Sequence, residues 1–323
     1  MPSSRAKKPA AEGPKRILVI GSEGTIGTVL VERLKERGLE VWRTDRVKMK
    51  ADHYIPSDIA HHETLAPVFD TVRPDLVYHL AGEVSREICE HWPSVATEVN
   101  VVGTVNVALL CQQYGARVVY SGSSEEYGDA FKAGPVSEHT PTGKAQGVYA
   151  LTKWMAEEIL EHWHRTKGLS VIVLRIFMCY GREVPNAYRS AMAQFIYKAR
   201  KGDEIVVHRG GKRAWCHVDD VVEGFIRAGL YRFPESLYEL FLLGNDEVVD
   251  IEDVAHEIIE RVGSKSRIRF TDPPMGITPV KSAVFKKAEH LLGWAAKVSW
   301  KEGLKREVEW QTAHVPLGIR GAP

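Results

Sequence analysis

The sequence predicts an α/β fold: a doubly wound parallel sheet with a smaller C-terminal α+β lobe. Three observations carry that prediction. Short apolar runs alternate with helical stretches as far as Gly181, the pattern of strands buried on both faces and joined by helical crossovers. A glycine cluster, Gly21-Ser22-Glu23-Gly24-Thr25-Ile26-Gly27, falls directly between the first run and the first helix. After Gly181 the rhythm changes to pieces too short for a second sheet of the same kind.

The elements follow in order. Arg16–Ile20 (RILVI) is a continuous apolar run of strand length, and the glycine turn leads into a helix through about Arg37. Gly38–Thr44 reads as a turn and second strand, and Asp75–Leu80 (DLVYHL) as another strand. Pro93 opens a long helical stretch that ends near Gly115. Arg117–Ser121 is a strand, Tyr149–Thr166 a helix and Ser170–Phe177 (SVIVLRIF) a strand. Beyond Gly181, Ala191–Lys201, Asp219–Ala228, Ile251–Val262 and Ala283–Leu292 read as helices. Short strands are expected at Glu204–His208, Leu240–Leu243 and Arg267–Phe270. The expected organisation is a basic tail over 1–14, a dinucleotide-binding domain over 15–180, a substrate lobe over 181–315 interleaved with it, and a tail over 316–323.

Composition narrows the function. The chain has 323 residues, 44% of them apolar, enough for a well-buried core. A net charge of +1 argues against a dedicated nucleic-acid binder. Cys89, Cys111, Cys179 and Cys216 are scattered without metal-site spacing, so no metal is expected and reduced thiols in a cytoplasmic protein are the simplest reading. No apolar run approaches the roughly 20 residues that span a membrane.

Glycines between a strand and its helix permit a tight turn and close backbone approach to a pyrophosphate at the helix N-terminus. Gly21, Gly24, Thr25, Ile26 and Gly27 are the candidate phosphate contacts. Asp45 closes the second strand, where a carboxylate accepts hydrogen bonds from an adenosine ribose. It favours NAD, because it repels a 2′-phosphate, while the flanking Arg43 and Arg46 soften that preference. Tyr149 and Lys153 stand four apart on one face of a helix, some distance after Ser123. A lysine beside a phenol lowers its pKa. To act as a base at neutral pH a tyrosine needs a shift of roughly 3 units, about 4 kcal/mol, and a nearby cationic nicotinamide supplies part of it.

Together these motifs resemble the extended short-chain dehydrogenase/reductases that act on nucleotide sugars, the NAD-dependent epimerase/dehydratase group, over about residues 15–312. The resemblance implies a Rossmann-type domain with a substrate lobe, NAD as cofactor, a nucleotide-sugar substrate and a homodimer built on helices at about 94–114 and 149–166. Ser57-Asp58-Ile59 matches the adenine-contacting Asp-Ile, and Leu80-Ala81-Gly82 after His79 the strand end along the cofactor. Asn100 begins the helical Asn-x-x-Gly-Thr, and Ser121 joins the cofactor side. Tyr149, Lys153 and Ser123 match the catalytic set, with Ser124 beside it. Arg175–Gly181 leads into the substrate lobe, and Arg213 matches the arginine that grips the nucleotide diphosphate. His79, Trp215 and Trp294 read as packed residues, and Asp219 and Asp220 as caps of the following helix.

Departures bear on the reaction. Met178 stands where the family has a substrate-touching Asn, and a thioether replaces neither the amide's donor nor its acceptor. Arg182 replaces the usual Pro, and Val284 an Asp. Glu125 matches the glutamate of 4,6-dehydratases and glucuronate decarboxylases, and Glu83 is also dehydratase-like. The same stretch resembles the 4-keto-6-deoxy-mannose reductases. The expected activity is a nucleotide-sugar epimerase acting through a 4-keto intermediate. A dehydratase, a uronate decarboxylase using Glu125 and a keto-sugar reductase are the alternatives. A non-catalytic dinucleotide sensor is disfavoured, since Tyr149 and Lys153 are both present.

Overall fold

The computed structural model describes residues 14, 16–184, 190–231, 238–273 and 280–318; most of both expected tails lies outside them. Six parallel strands form the central sheet: β1 (Ile17–Ile20), β2 (Val41–Thr44), β3 (Leu76–His79), β4 (Arg117–Ser123), β5 (Val171–Ile176) and an edge strand, Tyr238–Leu243. Their order is edge strand-β5-β4-β3-β1-β2. A single bridge between Arg43 and Tyr54 extends the sheet beyond β2.

Alternation along each strand divides the core into two layers. Ile17 and Val19 face one cluster, with Phe225 and Trp294; Leu18 and Ile20 face the other, with Phe69 and Leu160. Because β2 and β3 lie on opposite sides of β1, the strand order reverses there, which puts the sheet's switch point at the C-terminal ends of β1 and β3.

Two expected lobe elements belong to this sheet instead. The edge strand pairs with β5 from Tyr238↔Val171 to Leu243↔Ile176, and its Phe241, Leu242 and Leu243 are fully buried. The helix Val218–Leu230 packs on the helix Thr25–Glu36, burying Val221, Val222 and Phe225 in the sheet's core. Both are apolar enough for a central position, but only long-range pairing shows which sheet they join. Asp219 and Asp220 do not cap this helix: His217 does, accepting from the Asp219 N–H. Asp219 pairs with Arg33 and Arg306, and Asp220 receives the N–H groups of Lys297 and Val298.

The remaining lobe combines small sheets with the helices Ala191–Lys201, Ile251–Val262 and Trp300–His314. Strand Lys212–Ala214 lies between Val248–Asp250 and Val280–Lys281, and Ile205–His208 pairs with Ile268–Thr271. Met192, Ile196, Trp215, Ile258 and Leu304 fill its separate core. The last expected helix is shorter than the sequence suggests, Lys286–Leu292.

The helix His62–Val72 has no counterpart in the sequence reading. Pro67 lies inside it, yet Leu65, Val68, Phe69 and Val72 at helical spacing bury one face. The helical stretch Pro93–Tyr114 corrects the membrane expectation: its 22 residues are long and apolar enough to cross one. Its Val107, Ala108, Leu110 and Cys111 lie in the sheet's core, and one π-helical turn, Glu98–Val102, interrupts it.

Candidate active site at the sheet's C-terminal edge

The glycine turn joins β1 to the helix Thr25–Glu36, which starts on Gly24 without a side-chain cap. Gly21 has φ 83°, and a Cβ there would lie 2.5 Å from the Ala81 nitrogen. The turn and the Leu80-Ala81-Gly82 segment after β3 are therefore in direct contact. At Gly27 a Cβ would meet the Gly21 carbonyl oxygen at 2.1 Å. Only glycine fits either position, and the backbone forms an open cradle at a helix N-terminus, as a pyrophosphate requires.

Asp45 turns back to this cradle, its Oδ2 accepting the Glu23 N–H at 3.0 Å. Arg46 is exposed beside it. The Asp58 carboxylate accepts the Ala60 N–H at 3.0 Å, and Ile59 is buried against Gly103. Asn100 sits in the π-helical turn. Its Oδ1 accepts the Glu83 N–H at 2.8 Å, and its Nδ2 donates to the Glu83 carbonyl and to Thr152 Oγ1, both at 3.0 Å. The amide thus braces the loop after β3 against the helix that carries Tyr149. The Glu83 carboxylate accepts from the Ser85 N–H.

β4 delivers the serines. Ser121 Oγ donates to the His79 carbonyl, tying β4 to β3, and Ser123 and Ser124 are buried. The Ser123 N–H donates to Glu126 Oε1 at 2.6 Å, while its Oγ accepts the Glu125 N–H at 3.2 Å. This reciprocal capping box fixes the serine at the strand's end. Tyr149 and Lys153 occupy the first turns of the helix Val148–Lys167, whose leading N–H, on Val148, donates to Glu90 at 2.7 Å.

Ser123 lies close enough to Tyr149 to act on the phenol's acidity. The phenol's acidity departs from expectation. Burial pushes the Tyr149 pKa up, the Ser123 hydrogen bond opposes that rise, and the charges of Glu125 and Glu126 add to it. The Lys153 ammonium lies 4.2 Å over the Tyr120 ring, within the field of Glu126 and Glu157. Burial lowers the Lys153 pKa to about 8, against the pull of those two carboxylates. Behind it Arg175 bonds Glu157 at 2.6 and 3.0 Å and approaches Glu126 at 3.4 Å.

Glu125 faces the same space, paired with Lys281 and 3.7 Å from Arg86. Burial raises its pKa, but Lys281, Arg86 and Arg213 outweigh that and hold the carboxyl below its ordinary range. Arg213 is buried on the strand Lys212–Ala214. Met178, at φ 36°, packs its side chain against the lobe core. His79 is buried, its pKa lowered to about 3 by burial, with Nε2 on Thr104 Oγ1. No group of metal-ligating side chains assembles among the described residues.

Sequence reasoning did not single out Glu126, Glu90, Arg86 or Lys281. The Ser-x-x-Glu spacing of Ser123 and Glu126 is a readable capping-box signal. Nothing local marks Lys281, which reaches Glu125 across 156 positions.

A nucleotide cradle, a strand-end serine and a Tyr/Lys helix define a short-chain dehydrogenase/reductase site. Comparison with known proteins agrees. The model of the NAD dependent epimerase/dehydratase family matches residues 17–233, and the chain belongs to that family. The chain is 28% identical to UDP-glucuronic acid decarboxylase 1 of Danio rerio, over 92% of this chain and 72% of that protein. It is 28% identical to UDP-glucuronic acid decarboxylase 6 of Arabidopsis thaliana, over 94% and 91%. Among solved structures, the UDP-glucose 4-epimerase of Thermotoga maritima with UDP-glucose superposes with a TM-score of 0.85 at 27% identity, covering 93% and 99% of the two chains. The UDP-glucose 4-epimerase of Thermus thermophilus with NAD gives 0.84 at 26%, covering 93% and 100%. The protein is an enzyme of this family, and its cofactor is NAD. The cradle at Gly21–Gly27, the acidic corner at Asp45 and the open strand ends fit that dinucleotide.

Proposed function

We propose that the protein is a nucleotide-sugar 4-epimerase. The observation that carries this reading is the placement of the strand-end Ser123, fixed by its capping box, beside the helix on which Tyr149 stands one turn before Lys153. Ser123 orients the sugar's O4, and Tyr149 takes the O4 proton and later returns it. Lys153 holds the positive charge that favours the phenolate. NAD, when bound, would supply the reversible hydride acceptor for C4. Return to the opposite face of the keto sugar inverts C4. Arg213 holds the diphosphate.

The state of Glu125 supports epimerisation over dehydration. A carboxylate surrounded by Lys281, Arg86 and Arg213 is ionised but a weak proton acceptor. A dehydratase needs a carboxylate to remove the C5 proton. The second reading is decarboxylation of a uronic acid, favoured by the excess of cations around Glu125 and by the curated relatives named above. Mass spectrometry after incubation with UDP-glucose and UDP-glucuronic acid separates the outcomes. An isomer of unchanged mass is expected. Loss of carbon dioxide supports the second reading, and a product lighter by one water overturns both.

Exposed apolar side chains support a homodimer. Val95, Val102 and Leu109 project from Pro93–Tyr114, and Leu151 from the catalytic helix, as an unpaired helical face does. All four cysteines are free thiols, which suits a reducing cytoplasm.

A further inference from the structure

We propose that Glu23, inside the glycine turn, is a specificity-determining residue for the cofactor: it keeps Arg43 engaged and so makes the chain reject a 2′-phosphorylated dinucleotide. Arg43 lies on β2, two positions before Asp45, at the corner where an adenosine ribose sits. Phosphate recognition at such a corner suits the planar five-donor fork of an arginine. Here the fork is occupied by weak contacts. Nη1 lies 3.4 Å from Glu23 Oε1, Nη2 lies 3.5 Å from the Asp52 carbonyl oxygen, and the guanidinium stands 5.4 Å from the Tyr54 ring centroid. The Arg43 Nε is buried with no hydrogen-bond partner. Such a group exchanges its partners readily for a stronger acceptor.

Glu23 is the better-held member of the pair. Ser22 Oγ donates to its Oε1 at 2.9 Å, and its own N–H donates to Asp45 Oδ2 at 3.0 Å. Glu23 and Asp45 thus form a linked acidic corner in which Arg43 is the cation paired with Glu23, while Arg46 stands exposed beside Asp45. Burial, with the charges of Asp45 and Glu23 added and that of Arg43 opposed, pushes the nearby Tyr54 phenol up to about 12, so both carboxylates act on the same corner. A ribose hydroxyl donates to Asp45 at this corner, whereas a phosphate dianion is repelled by both carboxylates. Removing the Glu23 charge leaves Asp45 balanced by Arg43 and releases the fork.

The test needs only NAD and NADP, so it stands or fails independently of the sugar chemistry proposed above. Dissociation constants are measured by calorimetry on nucleotide-free protein. Glu23→Gln keeps the backbone bond to Asp45 and removes the charge. It is expected to tighten NADP by at least about tenfold while moving NAD by less than about threefold. Adding Arg43→Ala to that variant is expected to erase the gain. Glu23→Ser, which also removes bulk, should give the same order, and retained NAD affinity reports an intact fold in each. An unchanged NADP-to-NAD ratio in both Glu23 variants overturns the proposal. So does a gain that survives Arg43→Ala.

Discussion

In the proposed mechanism Tyr149 starts from an unfavourable point, because burial favours the phenol over the phenolate. The charges placed to correct this sit one layer deeper: Lys153 leans over Tyr120 towards Glu126 and Glu157. Tyr149→Phe is therefore expected to preserve folding and NAD binding while lowering turnover by at least ~10²-fold, the scale of a positioned acid/base. Steady-state kinetics on the purified variant decides it, and near-normal turnover removes Tyr149 from the mechanism. Glu126 is the residue through which Ser123 and Lys153 feel one another. Its carboxylate receives the Ser123 N–H and raises the Lys153 pKa. Burial and the neighbouring Glu157 raise the Glu126 pKa well above its ordinary value, so its charge acts on Lys153 only once it ionises; in Glu126→Gln the amide oxygen still accepts that N–H, but this charge is gone. The Lys153 pKa should then fall below its present value of about 8, and the alkaline limb of the pH–rate profile should move to lower pH. An unmoved limb would show that Glu126 is neutral at working pH.

Between residues and fold, one short element sets the geometry. The π-helical turn Glu98–Val102 carries Asn100, whose three hydrogen bonds join the loop after β3 to Thr152 on the catalytic helix. Extra residues in a helical turn are tolerated where they aim a side chain that regular spacing would misplace. Asn100→Leu matches the amide in size but leaves the Glu83 N–H and carbonyl unpaired. Each buried group left so costs about 1–3 kcal/mol. The variant should melt several degrees lower and bind NAD more weakly. If its thermal midpoint and NAD affinity match the parent, Asn100 is not the brace between cofactor loop and catalytic helix.

The whole molecule is closed by its last helix. Glu307 on Trp300–His314 is buried and accepts the N–H groups of Arg182 and Glu183, where the chain leaves the sheet for the lobe. Gln311 donates to the same carboxylate at 3.1 Å, and Glu183 stands beside it. Burial, reinforced by Glu183, raises the Glu307 pKa from 4.5 to about 7, against the hydrogen bonds of Gln311 and the two backbone groups. A carboxyl whose folded pKa exceeds its unfolded one favours the fold while protonated. Its contribution is full below about 4.5, declines as pH rises towards about 7, and is constant above that. Thermal midpoints across pH 5 to 8 should therefore fall more steeply in the parent than in Glu307→Gln, whose amide does not titrate. Parallel slopes would mean that Glu307 is ionised throughout.

The sequence by itself determined the doubly wound sheet, the glycine turn after its first strand and the shared helical face of Tyr149 and Lys153, because each depends on local spacing. Alternation and apolar runs specify strands, glycines without Cβ specify the turn, and a four-residue step places Tyr149 and Lys153 on one helical face. The epimerase/dehydratase resemblance rested on such segments, from Gly21–Gly27 to Tyr149 and Lys153, and the family match over 17–233 agrees with it. Only tertiary structure decided the rest. Tyr238–Leu243 is equally apolar in a lobe or at a sheet edge, and its pairing with β5 settled the matter. Glu125 is one carboxylate in any sequence reading, yet its basicity is fixed by Lys281, Arg86 and Arg213, which arrive from distant parts of the chain. The same holds for Lys153, whose pKa is set by burial and by Glu126 and Glu157. Electrostatic fields depend on distance through space and on burial, and neither is written in spacing along the chain.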